Sequence, residues 1–471
     1  MTAILQEPND TRPEANLRVL IVGAGVAGLL LALESKRLGL SPTILERRPK
    51  VESAGDFVVL GHSAAKVFKH WPELNKRWQE KSYSVEAWFN RHTGEHVIGP
   101  VPLKPTTGRP MLRANLMSML EEAVIRQQIP IRFNQKVVDF FEDDECGGVV
   151  LSSGERISAD VVAACDGLHS TSWRLTTGKK PITVSSGSAI YRTSVSAKHV
   201  FELDPSLGKQ MFGLREGIPY MKWFNGPGMH GLVFGDGDKI CWTIHHPENA
   251  NTSAESWSAT VDSAVVAEQL LQQHPDWSRD LLSLVRNTPN GTINDWLLLF
   301  RDPEPLWVST KGRVVQAGDS AHPFLPTSAN GATQAMEDAI TLAAALRLGV
   351  DNGASMKESL VVYNKLRFER TSCAQLMGTI HRQAHHETDW DAVRKSPEIM
   401  TKLGPGRWIA DHDPEIYAIE NFNTCLESIR NNQPFKNTNT PPGFTYQPWT
   451  CADLLRRQQE GDQLHLEGDW S

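Results

Sequence analysis

An apolar run at 19–22 gives way to a glycine-rich turn, then to a stretch of helical texture reaching Leu38, then to a second apolar run at 43–45 that ends in Glu46. Strand, turn, helix and strand in so short a span predict a βαβ unit whose two strands lie parallel. The turn reads Gly23-Ala24-Gly25-Val26-Ala27-Gly28. Gly23 permits the tight turn, Gly25 lets backbone N–H groups approach a pyrophosphate, and Gly28 lets the helix lie close on the strand. The helix N-terminus faces the phosphates with its partial positive charge. Glu46 stands at about the 20-residue separation expected of a ribose-binding acid. A lone glycine pattern would be weak; strand, helix, second strand and acid together make a dinucleotide site.

Further on, Val85, Ala87 and Phe89 alternate, and the Thr93-Gly94 turn leads into 96–98, a hairpin pattern. An amphipathic helix is expected over 111–125, with Leu116, Leu120 and Val124 on one face and Arg113 at its start. Residues 157–165 read as one apolar strand ending in Asp166-Gly167. Between 182 and 300 the texture changes to short strands (189–195, 220–224, 231–234, 240–245) separated by Gly/Pro turns such as 225–228, followed by helices at 261–271 and 279–285. This predicts a mostly antiparallel sheet. Residues 314–317 return to an apolar strand running into Gly318-Asp319, with helices at 334–348 and 362–377. Beyond His381 the chain is polar, interrupted by prolines and helical in patches.

The resulting fold class is α/β: a Rossmann-like nucleotide-binding domain, a mostly antiparallel substrate-domain sheet and a helical C-terminal region. The nucleotide domain is expected in three segments, 16–82, 106–180 and 301–375. A hairpin at 83–105 and the sheet at 181–300 belong to the substrate domain, and 376–471 forms the C-terminal region. The 471 residues allow two or three structural units. A net charge of −7 and the lack of a basic block argue against nucleic acid. No apolar run approaches the roughly 20 residues of a membrane span. Residues 1–15 are polar, with acids and two prolines, and read as a loose tail rather than a targeting signal. The cysteines at 146, 165, 241, 373, 425 and 451 include no CxxC pair and suit neither zinc nor a disulfide framework, so reduced thiols in a cytoplasmic protein are expected. The sequons at Asn9, Asn251 and Asn290 are then incidental.

Other residues keep two readings. Arg47 or Arg48 could meet a phosphate or ribose, or be solvated charge at a strand end. Gly55 reads as a close-approach glycine. Arg113 could reach a cofactor oxygen or form a surface ion pair. Trp223, Trp242, Trp257, Trp277 and Trp296 could line an aromatic ligand, or pack the core. His381 and His385 lie one helical turn apart beside His386 and Glu387, but no HExxH and no third ligand stand with them, so no metal is expected.

Three segments converge: Gly23–Gly28 with Glu46, Asp166-Gly167, and Gly318-Asp319. Each is a strand-then-turn that delivers polar groups to the carboxyl edge of a parallel sheet. The combination resembles the single-component FAD-dependent aromatic monooxygenases, the salicylate hydroxylase and para-hydroxybenzoate hydroxylase group, and in particular fungal secondary-metabolite members. The resemblance covers about 18–370. It implies that Gly23, Gly25, Gly28, Glu46 and Arg113 bind FAD. Asp166, Gly167 and Ser170 match a DGxxS motif serving FAD and the nicotinamide donor. The family's Arg three residues past that Ser is Trp173 here, with Arg174 next. Gly318, Asp319, His322 and Pro326 match GDxxHxxxP, with Asp319 on the ribityl chain. Where relatives carry Gly-Gln-Gly, this chain has Ala329-Asn330-Gly331, whose backbone at Gly331-Ala332 can lie near the flavin. Glu337-Asp338-Ala339 and Tyr363, Arg367 and Arg370 match the family's following helices. Tyr191-Arg192 resembles a pair facing the flavin, which makes both catalytic candidates.

The resemblance implies NADPH reducing bound FAD, O2 adding at flavin C4a as a hydroperoxide, and one oxygen passing to an electron-rich ring. A single dinucleotide fingerprint fits a nicotinamide that visits transiently. Small aromatic molecules and O2 are the expected partners, and the protein a monomer or homodimer. No base for a phenol can be named from the sequence, which favours an indole-type ring over a phenol or salicylate. A flavin reductase or oxidase inserting no oxygen, and a flavin-fold binding protein without redox activity, are the alternatives.

Overall fold

The computed structural model describes residues 16–52, 55–103, 108–210, 219–249, 253–254, 259–401, 403–461 and 467–470. The expectations for residues 1–15, Asn9, Asn251 and Trp257 lie outside them.

Five parallel strands form the first sheet, in the order Val314–Gln316, Val161–Ala164, Arg18–Val22, Ser41–Leu45, Ile131–Arg132. Its central strand is apolar from Val19 onward because both of its faces are covered. Val19 and Ile21 pack into the cluster containing Leu29–Leu33 of the helix Val26–Arg37. Leu20 and Val22 pack the other way, with Phe140, Val149 and Leu151. Those three residues belong to a separate three-stranded antiparallel sheet, Val137–Glu142, Gly147–Leu151 and Arg156–Ala159.

The expected single strand over 157–165 is therefore two strands in two sheets. Asp160 stands at the break and takes two hydrogen bonds of 2.7 Å from Arg18, one from its backbone N–H and one from its guanidinium. A run of apolar residues cannot announce such a change of sheet, because each half is buried anyway. Similarly, 111–112 pair as a strand (Arg109–Leu112 with Phe57–Leu60), and the helix begins at Arg113 and runs to Arg126.

The second large sheet has eight strands. Its central members are Thr183–Ser196, Lys239–Pro247, Met229–Gly235 and Tyr220–Gly226, each antiparallel to the next. Glu86–Arg91 then joins in parallel and carries the hairpin partner His96–Pro102. Trp242 and Trp277 pack in the core on one side of this sheet, whereas Trp223 faces the cavity described below.

Two long helices join the halves. Gly331–Asp351 is buried almost all round and packs on Val26–Arg37. Met356–His386, 31 residues or about 46 Å long, starts at a capping box made by Ser355 and Glu358 and carries its C-terminal turns onto the eight-stranded sheet. The two helices are cross-tied by buried ions. Arg367 reaches Glu337 at 2.5 Å and Asp338 at 2.8 Å, and Arg370 reaches Glu337 at 2.7 Å. The helix Pro414–Arg430 closes over this core with Ala418, Phe422, Cys425 and Leu426. Among the described residues no helix is long and apolar enough to cross a membrane, and all six cysteines are free thiols.

Candidate active site

A cavity of about 920 Å³ runs from the carboxyl ends of the parallel strands to the face of the eight-stranded sheet. At its nucleotide end Gly23 holds a φ of +102°, and a Cβ there would lie 2.5 Å from the Cys165 carbonyl oxygen. A Cβ on Gly28 would lie 2.0 Å from the Gly23 oxygen, so this glycine sets how closely the helix approaches the turn. Gly25 faces open space. The first turn of the helix begins there, with backbone N–H groups that have no partner within the helix.

Glu46 braces this turn. Its Oε2 accepts from the Ala24 N–H and its Oε1 from the Arg48 N–H, each at 2.9 Å. Each carboxylate oxygen keeps a second acceptor site for a sugar hydroxyl. Arg47 lines the cavity, and Arg48 pairs with Glu52. Asp166 Oδ1 is buried without a hydrogen-bond partner among the described residues, and burial pushes the carboxyl up to about 6. Burial likewise raises the Asp319 carboxyl, against the pull of His322, Arg113 and Arg301. The loop carrying Asp319 is pinned from behind. Asp338 Oδ2 accepts from the Gly318 N–H at 2.8 Å and meets His322 Nε2 at 2.5 Å.

Of the residues expected from the sequence, Gly23, Gly25, Glu46, Arg47, Arg113, Asp166, Gly167, Gly318, Asp319, Pro326, Gly331, Ala332 and Arg192 all line the one cavity. Gly28 stands behind the turn. Gly55, at φ +131°, does not line the cavity; it precedes Asp56, whose carboxylate holds the Arg192 guanidinium at 2.5 and 3.2 Å. Arg113 is half-buried in the wall, donating to the Glu52 carbonyl at 3.1 Å.

Tyr191 corrects an expectation. Neighbours on a strand point to opposite faces, so with Arg192 in the cavity Tyr191 lies in the core behind the sheet. It stacks on His246 with ring centroids 3.8 Å apart, and its hydroxyl bonds Gln269. The sequence reading also missed the far wall. His230, His245, His381 and His385 line the cavity beside Trp223, Leu232, Thr243 and Leu325. The alternation along 229–235 and 239–247 was the signal available, but only strand register shows that His230 and His245 are cross-strand neighbours.

Glycines at 23 and 28 without room for a side chain, an orphaned buried carboxylate oxygen at Asp166 and a second acid, Asp319, in the cavity wall together fit the pyrophosphate and sugar hydroxyls of a dinucleotide. These features define a flavin-nucleotide enzyme of the two-sheet α/β type. The family described as "FAD binding domain" matches residues 16–197 and 308–376, and the chain belongs to it. It also belongs with the fungal FAD-dependent monooxygenases. It is 37% identical to FAD-dependent monooxygenase fsr3 of Gibberella fujikuroi, over 98% of this chain and 90% of that one. It is 38% identical to FAD-dependent monooxygenase dmxR9 of a Cryptosporiopsis species, over 98% and 91%. Among solved structures, CtdE in complex with FAD and a substrate superposes with a TM-score of 0.80 at 29% identity, covering 88% of this chain and 100% of that one.

Proposed function

We propose that this FAD-dependent monooxygenase uses NADPH to insert one oxygen atom of O2 into an electron-rich aromatic ring of a fungal secondary metabolite. The balance is a ring C–H, O2, NADPH and a proton going to a ring C–OH, NADP⁺ and water. Bound FAD supplies the electron transfer and oxygen activation. The chain supplies binding, orientation and exclusion of water. The turn at Gly23–Gly28 and the following helix N-terminus hold the pyrophosphate. Glu46 accepts from the ribose and Asp319 from the ribityl chain. Asp166 takes a further hydroxyl or amide, and the Gly331-Ala332 backbone borders the ring system. Arg192, fixed by Asp56, donates hydrogen bonds into the reaction space; as a permanent cation it orients and stabilises rather than transferring a proton.

The observation that carries this reading is the meeting of three distant strand ends in one cavity whose opposite wall presents Arg192. An indole-type ring, epoxidised or hydroxylated, is favoured from the sequence because no base or phenolate stabiliser for a phenol can be named there. The histidines of the far wall offer hydrogen-bond acceptors to a phenol hydroxyl, which supports the phenol-type reading beside it. The test is NADPH oxidation stimulated by aromatic compounds, with product mass read for one added oxygen. Turnover that yields peroxide alone across phenols and indoles would establish the oxidase alternative instead.

A further inference from the structure

One row of the eight-stranded sheet carries three polar side chains on adjacent strands. By register Asn225 faces His230, and His230 faces His245, across three adjacent strands. The next row along the same face is Trp223, Leu232, Thr243 and Arg192. His230 and His245 stack with centroids 4.2 Å apart and planes 14° from parallel. The last turns of the long helix lie over them, with His385 and His386 each 5.0 Å from His230. The Asn225 amide nitrogen donates to His385 Nδ1 at 3.1 Å and to Thr388 Oγ1 at 3.2 Å, which fixes His385 from the sheet side.

Nδ1 of His230 and Nδ1 of His245 are buried with no hydrogen-bond partner among the described residues, in side chains 5% and 3% exposed. Leaving buried polar atoms unpaired is costly, and an apolar side chain would avoid it. Both rings line the cavity. Burial holds both imidazoles well below their ordinary value, with neighbouring histidines and Arg382 adding to it. It lowers His385 to about 3 and His381 and His386 to about 4. The charged group facing the cluster is Arg382, on the same helix, and it does not line the cavity. The rings are therefore neutral, and a neutral imidazole has one nitrogen that can accept.

We propose that His230 and His245, steadied by His385, form the wall that selects substrate, by accepting hydrogen bonds from hydroxyl groups on an aromatic ring. This rests on the monooxygenase reading and names its substrate class. Neutral imidazole acceptors suit a hydroxylated ring better than an indole, because a phenolic O–H is a much stronger hydrogen-bond donor than an indole N–H. Neutral rings do not attract a substrate carboxylate. The phenol keeps its proton in the complex, and the hydrogen bond draws electron density into the positions ortho and para to the hydroxyl.

The test titrates FAD-loaded protein with 2-naphthol, its methyl ether 2-methoxynaphthalene, and indole, reading the perturbation of flavin absorbance. Wild type is expected to bind 2-naphthol at least 10-fold more tightly than the ether and more tightly than indole. In His230→Phe and His245→Phe the preference falls to within 2-fold, and His245→Gln, which keeps an acceptor, restores part of it. Equal binding of 2-naphthol and ether by wild type, binding of neither, tighter binding of indole, or a preference that survives both Phe variants overturns the proposal. Flavin stoichiometry and melting temperature check that the variants fold; should both Phe variants lose flavin, the wild-type ratios decide. A wild-type protein that holds no FAD fails the monooxygenase reading instead, so the two failures are distinguishable.

Discussion

At the nucleotide end of the cavity the walls are backbone turns and carboxylates. Gly25 and the first turn of the helix offer N–H groups, and Asp166 and Asp319 offer carboxyl groups. At the far end the walls are side chains of alternate residues on several strands, with Arg192 in one row and His245 and His230 in the next. The first end recognises a ligand through groups every residue carries, so it needs particular backbone shapes and tolerates no added bulk. The second recognises through side-chain chemistry and keeps its shape when a side chain changes. Substitutions should therefore act on cofactor retention and folding at one end, and on product formation at the other.

The largest effect is expected at Gly28. Valine there places its Cβ about where the Gly23 carbonyl oxygen stands, 2.0 Å away, and that atom is backbone. Gly28→Val should abolish flavin retention, measured as the flavin-to-protein ratio after gel filtration. Normal occupancy would show that the turn does not hold the cofactor. Asp319→Ala probes the same end more gently; occupancy equal to wild type would remove its role on the ribityl chain.

Next is the buried ion set that ties the Gly318 loop to the long helix. Arg367→Leu leaves Glu337 and Asp338 short of their cation at a fully buried site. Removing one partner of such a set costs about 3–5 kcal/mol, read as a large fall in melting temperature at pH 7. The pH dependence has a definite sign. Burial raises the Glu337 carboxyl, but Arg370 and Arg367 outweigh it and hold the group far below its ordinary value. Its contribution is thus complete above the unfolded value of about 4.3 and is lost as pH falls below it. Wild type should lose stability through that range, and Arg367→Leu should show a shallower dependence. Identical slopes would mean the ions are not coupled.

The difference between the two ends also explains what the sequence disclosed. The nucleotide end is written in short spacings: glycines within six residues, an acid at the next strand end, a Gly-Asp pair after an apolar strand. Each is local, because a turn and the helix it starts are local objects. The far wall is assembled by register. His230 and His245 become neighbours through a hairpin, and His385 arrives on a helix from another part of the chain. The break at Asp160 escaped for a related reason: apolar texture reports burial but not which sheet does the burying. Arg382 and the C-terminal helices could not be placed at all, since their partners lie far off in sequence.

The last two substitutions concern adjacent residues on one strand and sharpen the comparison most. Arg192→Ala should retain FAD and lower product formation by about 100-fold, the scale of one well-placed charged donor. Asp56 would then keep its charge without its partner, so Arg192→Lys is the companion variant: it restores the charge without the two-pronged geometry and should recover only part of the rate. Full product formation by Arg192→Ala would end its assignment.

Tyr191→Phe is the smallest effect and the most discriminating. The ring is 1% exposed behind the sheet, stacked on His246, and its hydroxyl bonds Gln269. Phenylalanine keeps the ring and the stacking and removes the hydroxyl. The loss is about 1 kcal/mol of stability, the usual net worth of one hydrogen bond plus the unpaired partner it leaves. Turnover and flavin occupancy should stay within 2-fold of wild type, because strand alternation sends the hydroxyl away from the cavity. A 10-fold or greater loss of product formation, at unchanged melting temperature, would mean that the hydroxyl reaches the reaction after all. The register that places Arg192, Thr243 and the two histidines on the cavity face would then be wrong by one residue, and the far wall with it.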